Sequence, residues 1–160
     1  MGKTDVIAGL AAGLTGAVTI FLYLTISLPL FLHIAPVNLY EWDASNIVGL
    51  YTATHEPVAA TVLIGQSAHI VVSIIWGVVF VALLRVVASV ARLPVAWGIM
   101  YGVFVMLFMH YLVVPLGHAP QIPYTVAGFT NTLVAHTLFF GVPVALVATR
   151  LTGAVARSSP

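Results

Sequence analysis

Four long apolar stretches run through the chain, broken by glycine, serine, threonine, histidine and proline and almost never by charge. The first apolar part, Val6 to Leu32, is about 40 Å long as a helix, enough to cross a hydrocarbon core of about 30 Å with tilt. A second runs from about Val58 to Val87 and closes on Arg85, with a short turn leading to Arg92. The uncharged stretch from Leu93 to Thr149 is too long for one crossing, and Pro115, Gly117, Pro120 and Pro123 divide it, because proline removes a backbone donor and disfavours helix at the residue before it. Two further spans result, about 94–114 and 125–151. The pattern predicts an all-α membrane protein: a four-helix transmembrane bundle forming one integral membrane domain over residues 1–160.

Between Leu32 and Val58 the pattern changes. Pro36, Asn38, Glu41, Trp42, Asp43, Ser45, Asn46, His55, Glu56 and Pro57 make this the longest loop. Within it Asp43 is expected to cap a short interfacial helix reaching Thr52, with Trp42 and Tyr51 at headgroup level.

Composition agrees with this reading and narrows the chemistry. Of 160 residues 61% are hydrophobic and 6% charged, the net charge is +1 and the mean hydropathy +1.13. Soluble domains are about one quarter charged, so a water-soluble globule, a disordered tail and a basic nucleic-acid-binding domain are all excluded. The absence of cysteine removes disulfides, thiolate metal sites and cysteine nucleophiles. The N-terminal apolar run is too long for the core of a signal peptide and lacks a nearby small-residue cleavage site, so it reads as a retained helix. Val6 also breaks the pattern of a myristoylated N-terminus.

With four crossings, Lys3, Arg85, Arg92, Arg150 and Arg157 share one side, while Glu41, Asp43 and Glu56 share the other. This is a positive-inside distribution, and it places both termini in the cytoplasm and the 33–57 and 115–124 loops outside. Gly9 with Gly13 and Gly98 with Gly102 form GxxxG pairs, the spacing that lets helix backbones approach in lipid. They serve either the bundle itself or a homodimer.

Six histidines outnumber both the acids and the basic residues. In the second span Thr61, Gly65, Gln66, His69, Ser73 and Gly77 recur at three- and four-residue spacing and form one small, polar stripe. Gly98, Gly102, Met106 and His110 form another, and Thr132, His136 and Pro143 a third, with Asn131 alongside. Counting the helical rise from the outer surface, His69 and His136 lie about 15 to 17 Å deep and His110 about 6 Å deep. Together with Gln66, Ser73 and Asn131 they define an expected intramembrane polar site, since ionisable residues in a membrane mark function by default. Neutral histidines acting as interhelical hydrogen-bond partners are the competing reading. His33, His55 and His118 sit at the outer rim, where histidine titrates between about pH 5 and 8. They are pH-responsive candidates, or simply a solvated rim. No HxH or HxxxH spacing supports a metal site.

The second half of the chain resembles the YagU-like family of small bacterial inner-membrane proteins, a domain of unknown function. The likeness is carried by HIVVSIIWG from His69, by WGIMYGVFVMLFMHYLVVPLGHAP from Trp97 and by the run from Asn131 beginning NTLVAH. It covers about residues 58 to 152. It implies an inner-membrane location and a link to acid resistance, and it singles out His69, His110 and His136.

The leading expectation is a non-enzymatic inner-membrane protein whose histidine site, open to the outside, handles protons or a small ligand. A b-type haem held by His69 and His136 is an alternative, because a haem in a bundle needs axial ligands rather than charge. A structural or accessory subunit of a membrane complex is another. Hydrolysis is disfavoured by the absence of GxSxG, HExxH, paired intraspan carboxylates and a P-loop. The one certain partner is the lipid bilayer.

Overall fold

The computed structural model describes residues 1–119 and 125–153. Pro120, Pro123 and Arg157 therefore lie outside the described residues. Everything described is helix or short connection, with no strand among the described residues. Four helices have the length and apolarity to cross a membrane: α1 (Lys3–Leu32), α4 (Val58–Val86), α6 (Pro94–Leu116) and α7 (Val126–Leu151). Two short helices, α2 (Val37–Val48) and α3 (Leu50–His55), fill the first connection, and α5 (Ala88–Arg92) fills the second. The chain is a multi-pass membrane protein.

Two glycine seams hold the bundle together. A methyl group added to Gly9 would lie 2.8 Å from the Cα of Val78, and one added to Gly13 would lie 2.5 Å from the Cα of Ile74. The α1 and α4 backbones are thus in direct contact. Gly98 and Gly102 play the same part on α6, against the backbones at Gly141–Val142 and His136–Thr137 of α7. Both GxxxG pairs are spent inside the chain. Gly16 seats the Phe140 and Val144 side chains of α7, so α1 lies between α4 and α7.

The α4 and α6 backbones stand further apart, and rings fill the space between them. Trp76 meets Tyr101, Phe104 and Phe108 edge-on at centroid distances of 6.1, 5.9 and 5.1 Å, and Phe80 meets Tyr101 at 4.9 Å. The Tyr101 hydroxyl donates to the Trp76 carbonyl at 2.5 Å.

Antiparallel packing collects the charges. Lys3, Arg85, Arg92 and Arg150 lie at one end of the bundle, where the Arg85 Nε donates to Asp5 Oδ1 at 3.0 Å. Glu41, Asp43 and Glu56 lie in the connection at the other end. These are the basic and acidic ends below.

The connection at the acidic end differs from the expected interfacial helix. Helix α2 begins at Val37, six residues before Asp43, so Asp43 lies in its interior and caps nothing. It stops at Gly49, whose φ of 82° breaks the path to Thr52, and α3 starts afresh at Leu50. The helix starts early because Pro36 supplies a fixed φ at its N-terminus. Nor does α2 float at the surface. Ala44 and Ser45 are fully buried, the Tyr40 backbone rests on Gly65 of α4, and the Asn46 carbonyl accepts from the His118 N–H at 3.2 Å. In this way α2 bridges α4 and the acidic end of α6, and covers the gap that the aromatic side chains hold open further in.

Three helices widen to π-helical turns, at Leu28–Leu32 of α1, Met109–Val113 of α6 and Ala135–Gly141 of α7. Each has a proline within it or within two residues of its end: Pro29, Pro115 and Pro143. Proline has no N–H for the carbonyl four residues back and crowds it, and the helix opens locally to accommodate this.

Candidate functional site

His69 is the centre of the arrangement at the acidic end. It projects from α4 one turn after Gly65, the glycine on which α2 rests, and this brings Asp43 of α2 opposite it. The His69 Nδ1 and the Asp43 Oδ2 are 3.6 Å apart, within ion-pair range but longer than a hydrogen bond. The His69 side chain is 18% exposed and that of Asp43 26%. On the other side of the ring lies the Ala17 backbone carbonyl of α1, yet Nε2 is buried without a hydrogen-bond partner.

Packing against the bundle pushes the Asp43 carboxyl up to about 7, because a carboxylate loses hydration when protein surrounds it. A quarter of its side-chain surface stays open, but the packed surroundings dominate. The group therefore titrates near neutrality, where an ordinary aspartate does not.

His136 lies on α7 within the π-helical turn. Its Nδ1 donates to the Thr132 carbonyl at 2.9 Å, which fixes the neutral tautomer with Nε2 as the free acceptor. His69 projects from α4 and His136 from α7. They flank α1, which fills the interval between them: Ala17 meets His69, the Thr19 hydroxyl donates to the Phe139 carbonyl, and the Tyr23 hydroxyl donates to Asn131 Oδ1 at 2.8 Å. A haem ligated by both histidines would need the space that α1 occupies, so the residues present do not fit that group.

His110 lies on α6, in its π-helical turn. The backbone of His136 abuts Gly102 of α6, and His110 lies eight residues further along the same helix, about 12 Å nearer the acidic end. Its ring packs edge-on against Tyr111, with centroids 4.7 Å apart. Of the three histidines expected to converge, His69 and His136 sit on the two helices that flank α1, and His110 sits on α6. Gln66 is half-buried on α4, Ser73 is buried with its carbonyl against Gly13, and Asn131 is buried beside Tyr23.

The rim histidines are all exposed and do not cluster. His33 closes α1 in the left-handed region at φ 55°, and its N–H donates to the Leu28 carbonyl. His55 stacks on Tyr51 at 4.0 Å, with its Nδ1 2.8 Å from the Tyr51 carbonyl. His118 Nδ1 lies 3.4 Å from the Asn46 carbonyl. Among the described residues no group of three or more His, Asp or Glu is placed to hold a metal ion.

Two partners escape sequence reasoning. Asp43 carries no periodic relation to His69, because they belong to different helices that only the fold packs together. Tyr23 lies 108 residues from Asn131, and its hydroxyl is invisible to an apolar count. A usable signal for both does exist: an acid inside an amphipathic connection, and a tyrosine within an otherwise aliphatic span.

Compared with known protein families, characterised proteins and solved structures, the chain matches none.

Proposed function

We propose that this protein is a proton-responsive bacterial inner-membrane protein, with both termini cytoplasmic and the acidic end facing outward. The observation that carries the reading is the 3.6 Å approach of Asp43 to His69. It joins a carboxyl on the covering helix α2 to an ionisable residue inside the membrane span. As the outside acidifies through neutrality, the pair takes up a proton, and the contact between α2 and α4 changes its charge. Neutralising the carboxyl lowers the cost of keeping α2 docked. Orientation rests on the one-sided placement of the basic residues, and the link to acid tolerance on the resemblance to the YagU-like family.

Trp42 is adjacent to Asp43, so its fluorescence reports the docking of α2. In the purified protein, with Trp76 and Trp97 replaced by Phe, emission is expected to shift with a midpoint near 7, and Asp43→Asn is expected to abolish the shift. In cells, changing His69, His110 and His136 together to Leu is expected to lower survival after acid shock. A flat emission profile in the Asp43-containing protein, with unimpaired survival of the triple variant at normal membrane levels, overturns the proposal.

A further inference from the structure

Buried polar atoms are satisfied unevenly along the bundle. Towards the basic end they find partners within the protein: the Thr149 and Thr152 hydroxyls donate to the Ala145 and Ala148 carbonyls at 2.6 and 2.8 Å, and Asp5 accepts from Arg85. Towards the acidic end the Ser45 and Thr61 hydroxyls donate to the Trp42 and Ala53 carbonyls at 2.7 and 2.9 Å, but five buried side-chain atoms have no partner among the described residues: Thr25 Oγ1, Ser27 Oγ, Asn46 Oδ1, His69 Nε2 and Asn131 Nδ2. They come from four helices, α1, α2, α4 and α7. Ser27 is 1% exposed and Asn131 6%.

The contrast is sharp for the hydroxyls. Thr15, Thr130 and Thr137 each donate to the carbonyl four residues back, at 2.8, 2.9 and 2.7 Å. That route is open to any hydroxyl on a helix, yet Thr25 and Ser27 do not take it. Asn131 is fixed by its own bond: the Tyr23 hydroxyl donates to Oδ1, which leaves Nδ2 with two protons and no acceptor. Orphaned donors and acceptors are costly in a low-dielectric interior, and polar sites of this kind hold ordered water with two to four partners each.

Below this level the bundle is shut. One turn past His69, the Ser73 backbone lies against Gly13, and the next turn brings Trp76 onto Tyr101 and Phe104. On the other side Gly102 closes onto the His136 backbone.

We infer that the acidic half of the bundle is a hydrated vestibule, a binding site for a short chain of waters that enters beside α2 and ends at His69 and Asn131. It opens to one side of the membrane only. This inference does not require the pH response proposed above: water can fill the vestibule whether or not Asp43 governs it.

The chain has no cysteine, so a single introduced thiol reports without background. In lipid vesicles of known orientation, Ser27→Cys and Asn131→Cys are expected to react with a small membrane-impermeant thiol reagent added at the acidic end. The rates should exceed that of Thr149→Cys, which is buried in the sealed half, by an order of magnitude or more. Reagent added at the basic end should label none of the three. In the unsubstituted protein, magic-angle-spinning NMR should show magnetisation transfer from water to the Asn131 side-chain amide, and this measurement decides if a cysteine variant fails to fold. Rates no faster than Thr149→Cys without a water cross-peak overturn the inference, as does equal labelling from both ends.

Discussion

At the scale of single residues, Asp43 makes the clearest demand on experiment. Its carboxyl is pushed up to about 7 in the folded protein, against about 3.9 in an unfolded chain. Between those values the folded state binds the extra proton, so this group's contribution to stability is fully present near pH 4 and is lost as pH rises through 7. Asp43→Asn keeps the size of the side chain and removes the titration. We expect the variant to match the parent protein near pH 3, to exceed it modestly near pH 5 and to unfold several degrees higher near pH 8, as read by the apparent melting temperature in detergent. Equal melting temperatures at pH 8 would show that the buried carboxylate costs nothing. Sequence alone shows Asp43 as a polar loop residue and an expected helix cap, not as a partner of His69, because its unusual titration comes from packing that the Gly65–Tyr40 contact creates.

At the scale of elements, the proline residues explain more of the architecture than their positions in sequence suggest. Pro143 withholds its N–H from the Phe139 carbonyl, four residues back, and the Thr19 hydroxyl of α1, which also lies 2.9 Å from the Thr15 carbonyl, reaches that same carbonyl. An imperfection in α7 thus becomes a link between helices. Thr19→Val should destabilise the bundle by about 1 kcal/mol, the usual scale for an interhelical bond in a membrane. In a Pro143→Ala background, where residue 143 regains its N–H, the same change should cost much less, and a double-mutant cycle on unfolding free energies measures the difference. Additive costs would show that the two features are unrelated. The extents of the four spans were legible in the sequence, since hydropathy and charge fix them to within a few residues. The small-residue stripes were legible as well, though not their partners: Gly98 and Gly102 pack on α7 rather than on a second copy. The π-helical turns are not legible, because a proline inside a span signals a break without saying whether the helix ends or widens. The turn holding His136 sits just before Pro143, and the one holding His110 just before Pro115.

At the scale of the whole molecule, the two halves of the bundle are built on different principles, and this sets what it can transport. The basic half is closed by backbone contacts at glycine and by the Trp76–Tyr101–Phe104 cluster, leaving no polar relay from Asn131 and His69 down to Arg85 or Arg150 among the described residues. The acidic half carries the ionisable pair, the unpartnered amide and hydroxyl groups, and the covering helix. Under the proposed function, a protein so divided responds to one compartment without connecting two. Reconstituted into vesicles under an imposed pH gradient, it is expected to leak protons no faster than empty vesicles. The same vesicles should still report the external pH through Trp42. Proton flux that rises with protein content and falls in His69→Leu would mean that the aromatic seal opens and that the histidines line a path through the membrane. Flux unaffected by His69→Leu would place the leak elsewhere, at the lipid boundary or between copies of the chain. The reason to expect neither outcome is physical: a continuous path needs a donor or acceptor every few ångströms, and beyond Ser73 the α4–α6 gap offers aromatic rings, with its one hydroxyl, that of Tyr101, already committed to the Trp76 carbonyl.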